Sequence, residues 1–281
     1  TQYPPNPLFT PTPTPAPSFA YTPSTPPTPY TPTPTRPASS AVQSLAPLGA
    51  QLPERVPIRG VQRLMMKSMT QSLQIQHLTY CEEVLFDQLK QLRDALKPIL
   101  AARGVNLSYM PLIIKATSLS LSAHPSLNAS ISTEGTELLL HRHHHIGVAM
   151  DSPKGLLVPV IKHVERMSVL EIAIELGVLQ DAAKRGTLSE AQLSEATFSL
   201  SNIGSIGGTY AVPVVVLPQV AIGALGRVQV LPRYVDSAGN PASNADIYAG
   251  KAAVAPCQIM NVSWSADHRV VEGATVARFS N

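Results

Sequence analysis

His268 and Glu272 lie four residues apart near the end of the chain, and Gly273 follows at once. Upstream, Val262, Trp264 and Ala266 alternate with Ser263, Ser265 and Asp267, the period of a sheet strand with one apolar and one polar face. The strand fixes where the imidazole stands, and the glycine lets the chain turn away. Imidazole is the usual proton-transfer group near neutral pH, and a nearby carboxylate supports the charge it acquires. The pattern therefore suits a general base. It equally suits a half-buried histidine at a sheet edge.

Two other stretches invite chemistry. His141-Arg-His-His-His145 is rich enough in imidazole to suggest zinc or copper, but successive strand residues point to opposite faces and no Cys or acid stands nearby in sequence. A surface strand or turn without a metal is expected there, and no metal site is assigned anywhere. Ser199 to Gly208 carries Gly204, Gly207 and Gly208 at a spacing that does not match a phosphate-binding loop, and no Gly-Lys-Ser/Thr follows. The glycines read instead as a loop approached closely by another backbone.

These residues need elements to place them. Residues 1–50 are a Pro/Thr-rich linker: proline fixes φ and removes amide donors, which predicts an extended, solvated spacer or a ligand for a proline-binding domain. From Val56 the composition changes. Val61, Leu64, Met65, Met69 and Leu73 mark one face of a first helix, its Met-rich stripe read as core. A strand over His77–Val84 leads to a second helix with Leu85, Leu89, Leu92, Leu96 and Ile99 on one face, ended by Gly104. Pro111 opens a third, apolar helix. Short strands are expected at 128–131 and 138–140, and a hairpin around Ser152-Pro. An amphipathic helix covers Met167 to Lys184, and a strand covers Thr197–Ser201. Gly and Pro break the strands over 221–226 and 228–234, and a polar surface loop spans 236–251. Alternating helices and strands make the fold class α/β, with a mixed sheet covered by helices on one side.

Composition narrows the partners. Of 281 residues, 44% are hydrophobic and 14% charged, enough for a sizeable core in the folded part, residues 51–281. A formal net charge of +3 is too small to point to nucleic acid or an anionic membrane surface. No apolar run reaches the length of a membrane span. The two cysteines, Cys81 and Cys257, lack metal-ligand spacing and read as reduced thiols of an intracellular compartment. No targeting signal is evident, the first basic residue being Arg36.

The run Ile259 to Arg269 followed by Val-Val-Glu272-Gly273, together with Ser199–Gly208 and Val220–Gly226, resembles the dihydrolipoyl acyltransferases, the core components of 2-oxoacid dehydrogenase complexes, and among them most the branched-chain member. The resemblance covers about Val56 to Asn281. Its signature is His-x-x-x-Asp-Gly, and this chain has Glu272 at the acidic position. The resemblance implies a chloramphenicol-acetyltransferase-like fold that forms homotrimers and builds larger cores from them, with His268 of one subunit meeting Ser201 of its neighbour. It implies exchange of an acyl group between dihydrolipoamide and coenzyme A. His268 would be the base, Ser201 the donor to the oxyanion and Glu272 a support. Coenzyme A contacts carry over to Arg93, Ser108, Asp151, Gln180, Ser201, Asn202, Gly226 and Val228.

The same resemblance implies a lipoyl group carried on a domain this chain lacks, since nothing before Val56 resembles a lipoyl or partner-binding domain. It further implies association with decarboxylase and dihydrolipoamide dehydrogenase components, a mitochondrial matrix location, and a core shortened at its C-terminal end. From another class of function comes the alternative of a catalytically inactive structural or partner-binding subunit. A serine-hydrolase triad is weaker, because no base stands beside Ser201 in sequence.

Overall fold

A computed structural model describes residues 54–153 and 155–281, so the Pro/Thr-rich linker of residues 1–50 lies outside the described residues. Residues 56–281 form one compact unit. Its elements run α1 (Gly60–Ser72), β1 (His77–Leu85), α2 (Asp87–Ala101), α3 (Met110–Ala123), β2 (Ala129–Ile131), β3 (Leu138–Leu140), β4 (Ile146–Ala149), β5 (Val160–Ile161), α4 (Val169–Arg185), β6 (Phe198–Ser201), β7 (Ala221–Val235), α5 (Asn244–Tyr248), β8 (Ala253–Asp267) and α6 (Gly273–Ser280). No helix among the described residues is long and apolar enough to cross a membrane.

Six strands form one mixed sheet in the order β1-β8-β7-β6-β4-β5, and β2 pairs with β3 apart from it. The β4–β6 and β6–β7 pairs are parallel, whereas β1–β8, β7–β8 and β4–β5 are antiparallel. This is the expected α/β class. Two strands are longer than the sequence suggests: β7 runs unbroken through Gly226 and Pro232 for 15 residues, and β8 matches it. An irregularity between Leu225 and Val228 absorbs the glycine. Asp236–Lys251, read as a plain loop, holds the short helix α5, capped by the Ser243 hydroxyl accepting from the Asp246 N–H.

The polar face of β8 is not a solvent face. Ser263, Ser265 and Asp267 are all buried. Ile222, Ser265 and Thr79 lie opposite one another across three strands, and Ile75 and Val215 pack over Ile222. The end of α1 is tied to that cover by the Ser72 hydroxyl donating to the Val215 carbonyl at 2.7 Å. The other face of β8 carries Trp264. Gly223 stands opposite it, where a Cβ would come within 2.3 Å of the indole, so a bare backbone makes room for the ring. The indole N–H donates to the Ser280 hydroxyl at 2.9 Å, and Phe279 packs edge-on against the ring at 4.9 Å. Trp264 thus anchors α6, and with it the turn between β8 and α6.

Two helical stripes depart from the expected packing. On α1, Leu64 is 70% exposed and Leu73 84%, with Met65 also exposed, so the Met-rich stripe is not core within this chain. On α2, Leu92 and Ile99 are exposed, while Leu100 is the buried contact. Periodicity identifies an apolar face but not which surface it meets. The α4 helix follows its sequence signals closely. Ser168 and Glu171 form a capping box, and Gly186 ends the helix at φ 67°.

Candidate active site

The residues 268–272 form the turn that leaves β8 and enters α6. Its first residue is held from both sides. The His268 backbone N–H donates to the Gln76 carbonyl at 2.8 Å, and the Val270 and Val271 N–H groups donate to the Asp267 carbonyl. The imidazole is exposed, and its Nδ1 lies 3.0 Å from the Val271 carbonyl oxygen. A carbonyl can only accept, so Nδ1 carries the hydrogen, and in the neutral ring the lone pair lies on Nε2.

Asp267 is the residue the sequence reading missed. Its carboxylate is 1% exposed and accepts from Arg269 Nε at 2.9 Å, from Nη2 at 2.6 Å and from the Arg269 backbone N–H at 3.1 Å. Burial alone would raise this carboxyl, but the paired guanidinium and the backbone donor outweigh it and hold it below the usual carboxylate range. The signal was an acid two residues before an arginine at a strand end, hidden because Asp267 fell on the presumed polar face. The pair braces the turn at the strand end.

Glu272 itself is the N-cap of α6, extended at φ −89° and ψ 149°, with no side-chain cap bond. Its carboxylate is exposed and makes no ion pair among the described residues. Arg269, the nearest arginine in sequence, is committed to Asp267. A free, exposed carboxylate near the base offers only weak support. Glu272→Gln is therefore expected to lower turnover by no more than about ten-fold, about 1.4 kcal/mol, as steady-state assay would measure.

Ser201 ends β6, half-buried, and its hydroxyl makes no hydrogen bond among the described residues. It lines a cleft of about 410 Å³ together with Asp151, Gln180 and Asn202. Gln180 also lines a second cleft of about 420 Å³, which contains Ser108. Arg93 lies next to that segment, its Nε donating to the Leu107 carbonyl at 3.1 Å and its guanidinium stacked 4.6 Å over the Tyr109 ring. Six of the eight contact positions thus fall on two clefts joined by Gln180, or beside them.

Gly226 and Val228 do not line these clefts. Gly226 is buried, and a Cβ there would meet the Thr209 carbonyl oxygen at 2.3 Å, while a Cβ on Gly204 would meet Gly226 backbone at 2.2 Å. The two glycines let the turn after Ser201 lie flat on β7, which is the close approach their types suggest. Gly204→Ala must push that turn away. The expected cost is about 1–3 kcal/mol, read as a lower midpoint in denaturant unfolding. A separate apolar cavity of about 590 Å³, lined by Leu89, Ile113, Met260 and Phe279 among others, contains no titratable side chain.

His268 and Ser201 do not meet within one chain. Ser201 pairs with Ala224 on β7, and Ala224 with Ser263 on β8. His268 stands five residues beyond Ser263, about 17 Å along the strand at 3.4 Å per residue. Neither side chain can span that distance.

Residues 50–281 match the family described as 2-oxoacid dehydrogenases acyltransferase (catalytic domain), and the chain belongs to that family. It is 49% identical over 225 residues to the lipoamide acyltransferase component of the branched-chain alpha-keto acid dehydrogenase complex, mitochondrial, of Mus musculus, covering 80% of this chain and 44% of that protein. The chain thus spans less than half the length of this relative. Among solved structures it is similar to Azotobacter vinelandii dihydrolipoamide acetyltransferase, investigated for the roles of a serine, a histidine and an asparagine in its catalytic mechanism. That match has a TM-score of 0.74 at 32% identity and covers 88% of this chain and 93% of that one. The cubic core of the pyruvate dehydrogenase multienzyme complex matches with the same TM-score, identity and coverage.

Proposed function

We propose that this chain transfers an acyl group, of the branched-chain type, between dihydrolipoamide and coenzyme A, as the core of a lipoamide acyltransferase. The observation that carries the reading is the fixed tautomer of His268, with Nδ1–H spent on Val271 and Nε2 free. In the reaction, Nε2 takes the proton of the incoming thiol while its sulfur attacks the thioester carbonyl. The carbonyl oxygen becomes negative, and the Ser201 hydroxyl donates to it. Collapse expels the second thiolate, which recovers the proton from Nε2. The acyl group changes sulfur, and the histidine ends as it began.

Because His268 and Ser201 lie far apart along one sheet, the site is completed by a second copy of the chain, in a homotrimer that builds a larger core. The exposed apolar stripe of α1 supports this, since solvent-facing Leu64, Met65, Met66 and Leu73 are of the kind that contact surfaces use. Asp151, Gln180, Asn202, Ser108 and Arg93 would hold coenzyme A, with Arg93 suited to a phosphate, and Gly226 and Val228 would shape the neighbouring backbone. The lipoyl group would arrive on another domain. Decarboxylase and dihydrolipoamide dehydrogenase partners and a mitochondrial matrix location follow from the same reading. The test is release of free coenzyme A when the protein is given dihydrolipoamide with 2-methylpropanoyl-coenzyme A or acetyl-coenzyme A. Faster turnover of the branched thioester supports the proposal, and no transfer with either substrate refutes it.

A further inference from the structure

The histidine-rich segment finds its acid partner across the fold. His143 Nδ1 lies 3.0 Å from Glu165 Oε1, and His163 Nδ1 lies 3.5 Å from the same oxygen. One donor atom from each of the three residues lies within 4.8 Å of the other two. The His145 ring stands 4.7 Å from that of His163 and stacks at 6.0 Å on that of His143. We propose that His143, His163 and Glu165 form a binding site for a divalent transition-metal ion of the zinc class, unconnected with acyl transfer.

Ligand type and spacing both favour this. Two imidazoles and one carboxylate are a zinc-type donor set, which leaves a fourth position open to water. With metal–ligand bonds of about 2.0–2.2 Å in tetrahedral geometry, ligand atoms sit about 3.3–3.6 Å apart around the ion; the 3.5 Å separation of His163 from Glu165 fits this, and the 3.0 Å one of His143 needs only a slight opening. The side chains of His143 and His163 are each 46% exposed and that of Glu165 19%, so an ion can reach them.

The scaffold holds the ligands in place. The buried Asn128 donates through Nδ2 to the carbonyls of His141 and His143 at 2.8 and 3.0 Å. Glu165 Oε2 accepts the His144 backbone N–H at 2.9 Å, leaving Oε1 for the two rings. Thr197 accepts the His145 N–H through its hydroxyl at 3.1 Å. His163 has φ 57°, a left-handed conformation uncommon for a residue with a Cβ and of the kind that concentrates at functional positions. His145 walls the site. Its Nδ1 is spent on the Glu195 carbonyl at 3.1 Å, and its Nε2 is buried without a partner. Cations also stand near: Lys115 is spent on the Val164 and Glu165 carbonyls, each at 3.2 Å. Lys162 is paired with Glu195 at 2.5 Å, and Arg166, 3.6 Å from Glu165 Oε1, is 72% exposed and can swing into solvent.

The experiment titrates the chelator-treated full chain with zinc chloride by calorimetry and repeats the titration with calcium and magnesium chloride. One zinc per chain and no calcium or magnesium binding are expected. His143→Ala and His163→Asn, the latter chosen because asparagine tolerates φ above zero, are each expected to weaken zinc binding at least ten-fold. His141→Gln is expected to leave it unchanged. Circular dichroism confirms that each variant is folded, and a zinc-dependent rise in melting temperature, lost in the two ligand variants, gives a second readout. Absence of one-to-one binding, or equal affinity in wild type, His143→Ala and His163→Asn, overturns the proposal. Acyl transfer does not enter the measurement, so the two readings stand or fall separately.

Discussion

His268→Ala is expected to lower acyl transfer at least about a hundred-fold while leaving the fold and the assembly intact. The side chain makes one hydrogen bond, to the Val271 carbonyl, and its ring is exposed, so truncation opens no cavity. The turn does not depend on it, because Asp267 and Arg269 brace the strand end and the backbone N–H of His268 still reaches Gln76. What is lost is the lone pair on Nε2, and no other described histidine stands on this turn to replace it. The check is kcat alongside a melting curve. Near-normal turnover would remove His268 from the chemistry, whereas lost turnover with a collapsed melt would show only that the turn had failed.

Much of this was legible in the chain because local patterns dominated it. The β8 alternation, the proline that opens α3, the capping box and glycine stop of α4, and the hairpin around Ser152-Pro each depend on neighbours within a few residues. The three long motifs carried the family and, with it, both side chains proposed for the chemistry. What was misread depended on distant partners. The seryl face of β8 looks solvent-facing until Val215 and Ile75 are laid over it. Asp267 looked like one more polar alternate for the same reason. The Met-rich face of α1 reads as core in sequence because an apolar stripe does not say what covers it. The histidine run lacked an acid only along the sequence. Glu165, some twenty residues on, reaches it because β4 and β5 pair as a hairpin. Arg269 stands three residues from Glu272 but pairs with Asp267, which is buried and meets it with both oxygens.

Mixing two dead proteins is expected to restore activity. Ser201→Ala removes the proposed oxyanion donor, at a cost on the order of a hundred-fold, and His268→Ala removes the proposed base. If both residues served one chain's own site, every site in a mixture would lack one of them. The sheet register argues otherwise, placing the two residues about 17 Å apart along the strands at 3.4 Å per residue. A site must then draw His268 from one subunit and Ser201 from the next. After dissociation and random reassembly of equal amounts, a given interface receives an intact histidine and an intact serine with a probability of about one quarter, for a cyclic assembly in which each interface is independent. Activity should rise from about 1% to about a quarter of the wild-type value, some twenty-five-fold above either parent. Subunit exchange is verified by mass-tagging one parent and isolating mixed assemblies. Mixed assemblies no more active than the parents would mean that the two residues do not act together across an interface, and the shared-site mechanism would fall with them.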